Sequence, residues 1–146
     1  MKPVKNTLSK SETASIPHSV TERRLFLKKR LEKFKNKLVV CPAIGAKVKI
    51  ESKSITEIAE NASLSTESTI AALHLDKLIR NSDFDFFDMP DSNTQKKKFQ
   101  AAFMIHLKAN MDKVGNVKIL VAATEYRGAL YYSVTVPPTN EKSGKV

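Results

Sequence analysis

Phe99-Gln-Ala-Ala-Phe-Met-Ile-His-Leu-Lys-Ala-Asn110 carries the cleanest alternation in the chain, and its reading decides the fold. Phe99, Ala101, Phe103, Ile105, Leu107 and Ala109 share one face. Gln100, Ala102, Met104, His106, Lys108 and Asn110 share the other. Successive side chains of a strand point to opposite faces, so the stretch predicts a half-buried β-strand. Its apolar face needs a layer of helices against it. His106 and Lys108 stand two residues apart on the opposite face. They are either a solvated pair or part of a site.

Working outward from this strand, Asp112-Lys-Val-Gly-Asn116 supplies turn residues. Val117, Ile119, Val121 and Ala123 then alternate with Lys118, Leu120, Ala122 and Thr124, predicting a second strand. Tyr126-Arg-Gly128 reads as a tight turn. Leu130, Tyr132, Val134 and Val136 alternate with Tyr131, Ser133 and Thr135, predicting a third strand that Pro137-Pro138 stops. Hairpin spacing makes the three an antiparallel meander. Upstream, Asn81–Asn93 (NSDFDFFDMPDSN) reads as a loop with acids in water and aromatics turned inward. Its acids do not match a calcium-binding loop, which needs fixed odd positions and a central Gly. They could instead face a basic helix of the same chain.

Before that loop the pattern is helical. Ser19-Val-Thr-Glu22 is a capping box and opens a helix over about 20–38, with Leu27, Leu31, Phe34 and Leu38 as its apolar stripe. Arg23, Arg24, Lys28, Lys29 and Arg30 are among the cations covering the rest. Val39–Gly45 reads as an apolar connector, and Cys41 within it as a buried structural thiol. Lys47–Glu51 alternates as a short strand. Ser54-Ile-Thr-Glu57 opens a short helix to about Ala62, and a longer one follows over about 66–80, with His74 near the edge of its apolar stripe. Residues 1–18 are polar and read as a disordered tail. The expected organisation is therefore that tail, a basic helix over 19–38, a single α+β domain over 45–137, and a polar tail over 138–146. The domain would stack helices on one face of a roughly four-stranded, mostly antiparallel sheet.

Composition narrows the function classes. The chain has 146 residues and a formal net charge of +10. Residues 1–53 hold 14 Lys/Arg and 4 Asp/Glu, while residues 54–146 hold 11 of each, so the whole excess lies in the first third. A basic segment joined to a neutral domain suggests an electrostatic anchor for nucleic acid. A protein partner is the other candidate. No apolar run approaches the ~18 residues a membrane span needs. The opening residues lack the apolar core of a secretory signal. One cysteine excludes an internal disulfide and a cysteine-built metal cluster. A cytoplasmic location is expected, no cofactor or metal is called for, and the oligomeric state stays open.

Three stretches carry a likeness: KVKIESKSI, HLDKLIRNS and GNVKILVAATEYRGALYYSVTV. Together, residues from about Lys47 to Pro137 resemble the barnase/EndoU/colicin/RelE-like nuclease fold, and most closely its members in large polyvalent proteins of phages and conjugative elements. The resemblance implies metal-independent RNA cleavage or a non-catalytic descendant of it. Such chemistry needs an acid or base and cations for the phosphate. His106, Lys108, Thr124 and Ser133 are the catalytic candidates. Lys118, Arg127 and Tyr131 (or Tyr126) could hold phosphate or stack on a base, with Arg23, Arg24, Lys28, Lys29 and Arg30 as the basic arm. The resemblance also implies a histidine on the helical part, and the first domain helix, ITEIAENAS, has none. That departure favours the alternative, a protein-interaction module of the same fold.

Overall fold

The computed structural model describes residues 3–89, 103–124 and 128–135. Helices lead and strands follow, giving the expected α+β class. Helices α1 (Lys10–Ala14) and α2 (Val20–Leu31) precede a hairpin of β1 (Leu38–Cys41) and β2 (Ala46–Lys49). Helices α3 (Ser52–Ala62), α4 (Thr66–Leu73) and α5 (Leu75–Arg80) come next. Strands β3 (Asp83–Asp88), β4 (Phe103–Met111), β5 (Gly115–Thr124) and β6 (Gly128–Thr135) complete the chain. One six-stranded sheet forms in the order β1-β2-β6-β5-β4-β3. β3 to β6 make a four-stranded antiparallel meander, and β2 joins β6 in parallel.

The quoted stretch supplies β4 near the middle of that meander. Ile105, Leu107, Ala109 and Met111 are buried and share one core with Val117, Ile119 and Val121 of β5. Leu27 and Leu31 of α2, Ile55 and Ile58 of α3, and Leu75, Leu78 and Ile79 of α5 complete that core. The helices thus cover one sheet face. The β4–β5 hairpin turns at Asp112–Gly115, where Lys113 and Gly115 take positive φ and Val114 N–H donates to Met111 O at 3.1 Å. Phe99–Ala102 and the 125–127 turn lie outside the described residues.

Several expectations are corrected. The helix expected over 20–38 ends at Leu31, with a short 3-10 turn through Phe34. Asn36 then takes a left-handed conformation (φ 65), which an α-helix cannot contain, and its N–H donates to Ile50 O. Leu38, expected on the apolar stripe, is consequently on β1 and 60% exposed. The Val39–Cys41 connector is strand, with Val39 and Cys41 facing the core and paired against β2. The loop expected over 81–93 contains β3 at Asp83–Asp88. The helix of 66–80 breaks at His74, whose N–H bonds to Ala71 O three residues back.

The segment expected as a disordered tail is packed over its described part. Val4 is buried, donates from its N–H to Asn110 O at 2.7 Å and accepts from Asp112 N–H at 2.8 Å. Ser9 and Glu12 form a reciprocal capping box on α1, and Ile16 is buried in the common core. Two apolar anchors and a backbone bridge to β4 offset the ordering entropy that the polar composition alone would not.

Candidate functional site on the outer sheet face

The geometry of the outer face is set by a bulge. β3 pairs with β4 as Asp83↔Lys108 and Phe84↔Leu107, then skips Asp85 and resumes as Phe86↔His106, Phe87↔Ile105 and Asp88↔Met104. One extra residue shifts strand parity, so the residues beyond it change face. Asp83 on one side of the bulge, and Phe86 and Asp88 on the other, all share the outer face with Lys108, His106 and Met104. Phe87 joins Phe84 on the opposite face.

This parity shift builds a histidine site. The Phe86 ring stacks on the His106 imidazole with centroids 4.1 Å apart and planes 9° apart. Asp88 Oδ2 lies 3.6 Å from His106 Nε2. The ring is therefore fixed by a flat contact and a carboxylate, and stays partly open to solvent.

Across the sheet, two rows run through the site. His106 pairs with Leu120, which pairs with Ser133. Lys108 pairs with Lys118, which pairs with Thr135. Like charges directly opposite each other in a sheet repel. Lys108 and Lys118 hold such positions, and both are exposed. Asp83, opposite Lys108 on its other side, compensates one of them. An anion placed over the two lysines would relieve the remainder. The rows are two residues apart along the strands, roughly 7 Å, a span a phosphate-bearing ligand bridges.

Not every expected residue joins this group. Thr124 lies four residues beyond Leu120, roughly 13 Å along β5, and is in register with Gly128. It stands apart from His106. A second bulge, between Leu120 and Val121, puts Tyr131 in register with Val121, outside the His106–Leu120–Ser133 row. Arg127 and Tyr126 lie outside the described residues. Met104 and Ala122 are buried on the outer face beside Leu120 and give that end an apolar floor.

The basic arm also divides. Arg23 is turned inward: its Nε donates to Ser63 O at 2.8 Å and its Nη1 to Pro17 O at 3.3 Å. Ser63 is the C-cap of α3, where exposed carbonyls and the helix dipole favour a cation. Arg23 thus ties two segments together and is not available to a phosphate. Arg24 is half-buried. Lys28, Lys29 and Arg30 are exposed, with Arg30 lying 4.7 Å above the Phe26 ring.

Other titratable groups serve the fold. His74 is buried, with Nδ1 2.9 Å from Ile70 O and Nε2 3.1 Å from Thr7 N. Burial pushes its pKa down, opposed by the bond to Ile70. Cys41 is buried beside Ser82, and desolvation pushes its thiol up, away from the reactive thiolate. Among the described residues no group of three His, Cys, Asp or Glu side chains could hold a metal ion. No described helix is long and apolar enough to cross a membrane.

Sequence reading missed Phe86 and Asp88 as partners of His106. The signal was present in the Asp-Phe alternation of 83–86, but Asp is depleted in strands and the run read as loop.

With this geometry in place, comparison with known families gives one finding. The family model of large polyvalent protein-associated domain 3 matches residues 19–132. The chain belongs to that family. The match spans the elements from α2 into β6, and therefore the histidine site and the exposed cations of α2. Of the curated proteins and solved structures compared with the chain, none matches. The polyvalent-associated domain is thus placed by family, while its chemistry has to be argued from its own residues.

Proposed function

We propose that this polyvalent-associated domain is a nuclease-like module of a mobile genetic element that binds RNA on the outer face of its sheet and cleaves it without a metal. The observation that carries the reading is His106, held between the Phe86 ring and the Asp88 carboxylate beside the opposed lysines Lys108 and Lys118. The resemblance to the barnase/EndoU/colicin/RelE-like nuclease fold supports it.

The chemistry follows from the side chains. His106 takes the proton of a ribose 2′-hydroxyl, and Asp88 stabilises the imidazolium that forms. The 2′-oxygen bonds to phosphorus, and the bond from phosphorus to the 5′-oxygen breaks. The leaving oxygen takes a proton from water, and the products are a 2′,3′-cyclic phosphate and a 5′-hydroxyl. Lys108 and Lys118 neutralise charge on the non-bridging oxygens as it grows. Ser133, in register with Leu120 of the His106 row, is the hydroxyl we assign as a donor to the same phosphate. The exposed face of Phe86 offers a base a stacking surface. Lys28, Lys29 and Arg30 of α2 add a sequence-independent grip on the backbone.

A second reading is favoured by one observation. Leu120, partly exposed over the buried Met104 and Ala122, makes part of the outer face apolar, which suits a protein partner better than a phosphate. In that reading the domain is a non-catalytic interaction module, with α2 as its nucleic-acid anchor.

The test is a ribonuclease assay on short single-stranded RNA with wild type, His106→Ala and the double variant Lys108→Ala/Lys118→Ala. Removing a general base is expected to slow cleavage by about 10²–10⁴-fold. The lysine variant is expected to weaken binding and flatten its salt dependence. Equal cleavage by wild type and His106→Ala would exclude the base. Retained RNA binding with no cleavage by any form would leave the interaction reading.

A further inference from the structure

β3 ends the sheet. β4 occupies one of its sides and no described strand occupies the other, the side to which alternate residues of Asp83–Asp88 turn their backbone N–H and C=O groups. Sheet edges are usually blunted by lysine, proline or a covering element. This edge has neither lysine nor proline, and all six of its residues are exposed. Phe84, Phe86 and Phe87 are 40%, 47% and 62% exposed.

The side chains of the edge are sorted by face. Phe84 and Phe87 lie 4.7 Å apart between ring centroids, and Phe87 meets Phe103 edge-on at 5.4 Å. This aromatic cluster lies on one side of the strand. Asp83 and Asp88 lie on the other, and Asp85 sits at the bulge between. A groove of about 460 Å³, with Phe87, Asp88, Met89 and Phe103 in its lining, opens at the end of the strand.

An added strand places its own alternate side chains opposite these two sets. Residues meeting Phe84 and Phe87 are favoured if apolar, and those meeting Asp83 and Asp88 if basic. A second β3 is disfavoured, because antiparallel self-pairing would set carboxylates against carboxylates. RNA is repelled by the same acids. We propose that the edge of β3 that no described strand occupies binds an extended protein segment of alternating basic and apolar residues by strand addition. The bulge at Asp85 leaves Phe86–Asp88 as the regular part of the edge, so the contact is short. The proposal uses the outward backbone of β3 and stands whether or not His106 is catalytic.

The experiment uses the full chain and a capped eight-residue peptide of alternating lysine and valine, followed by amide chemical shifts and titration. Shifts are expected along Phe84–Asp88. Methylating alternate backbone nitrogens of the peptide keeps its charge and removes donors, and should weaken binding at least tenfold. An alternating glutamate–valine peptide should not bind. Asp85→Lys/Phe87→Thr should weaken binding about tenfold, with an unchanged circular dichroism spectrum confirming the fold. Lys118→Ala, on β5 and two strands away from this edge, should lose RNA affinity and bind the peptide as wild type does, which separates this edge from the RNA site. Undiminished binding by the methylated peptide, binding of the acidic peptide, shifts on another surface, or no binding at millimolar peptide would each overturn the proposal.

Discussion

Replacing His74 with phenylalanine should remove a pH-sensitive clasp between the N-terminal segment and the helices. Thr7 N–H can only donate, so His74 Nε2 at 3.1 Å accepts from it. Nδ1, 2.9 Å from Ile70 O, then carries the hydrogen and donates. Only the bond accepted from Thr7 N–H requires the neutral ring; the Nδ1 bond to Ile70 O survives protonation. Protonating Nε2 would set one donor against another, leaving only the Thr7 hydroxyl, at 3.2 Å, as an acceptor. Burial lowers the folded-state pKa below the ordinary value of 6.5, reinforced by Lys77 and Lys33 and opposed by the Ile70 bond and Asp76. The sign follows. Above 6.5 the ring is neutral in both states and the clasp is fully present. As pH falls below 6.5 the unfolded chain takes up the proton first, and stability is lost until the folded-state value is passed. The slope reaches at most about 1.4 kcal/mol per pH unit in that window. His74→Phe should cost about 2 kcal/mol at pH 8, from two lost bonds and a part-buried donor left unpaired. Its deficit should shrink towards pH 5, because the variant has no ring to protonate. Urea unfolding of both proteins across pH 5–8 reads this directly, and amide exchange at Thr7 localises it. A deficit that stays constant with pH would refute the reasoning.

Two further substitutions test the packing around the candidate site. Arg23→Leu should destabilise the protein by about 1–3 kcal/mol, since the Ser63 and Pro17 carbonyls lose their donor. It should leave the salt dependence of RNA binding unchanged, whereas Lys28→Ala/Lys29→Ala should flatten it. Adjacent positions on β4 should behave oppositely: Leu107→Ala should cost about 2–5 kcal/mol by chemical unfolding, and exposed Lys108→Ala under about 0.5 kcal/mol.

What the sequence made legible was local. Period-two alternation found β4, β5 and β6; one face of β4 and of β5 is buried by partners the pattern does not need to name. Ser19 and Ser65 cap their helices as their types and positions suggest, each accepting from a backbone N–H three residues on. What stayed hidden was set by contacts distant in sequence. β3 is a strand because β4 pairs with it, and the bulge at Asp85 that brings Phe86 and Asp88 to His106 leaves no mark in the alternation. The break at His74 involves neither Pro nor Gly; it accompanies side-chain bonds to Ile70 and to Thr7, 67 residues away. Val4 finds β4 by a backbone bridge that its polar neighbours do not announce. Arg23 has the charge and helical position of a solvated residue, and only the C-cap of α3 draws it inward. Half of the candidate site, His106 with Lys108 and Lys118, was therefore readable from strand parity. The half that orients His106 was not.

The central claim is that His106 abstracts a 2′-hydroxyl proton on the outer sheet face. The most direct measurement is single-turnover cleavage of paired oligonucleotides, one all-RNA and one with a single 2′-deoxyribose at the cleaved position. The account predicts cleavage of the first to a 2′,3′-cyclic phosphate, loss of cleavage in the second at unchanged binding, and loss of the first reaction in His106→Ala. Cleavage of the deoxy-substituted strand, or cleavage by His106→Ala at the wild-type rate, would contradict it.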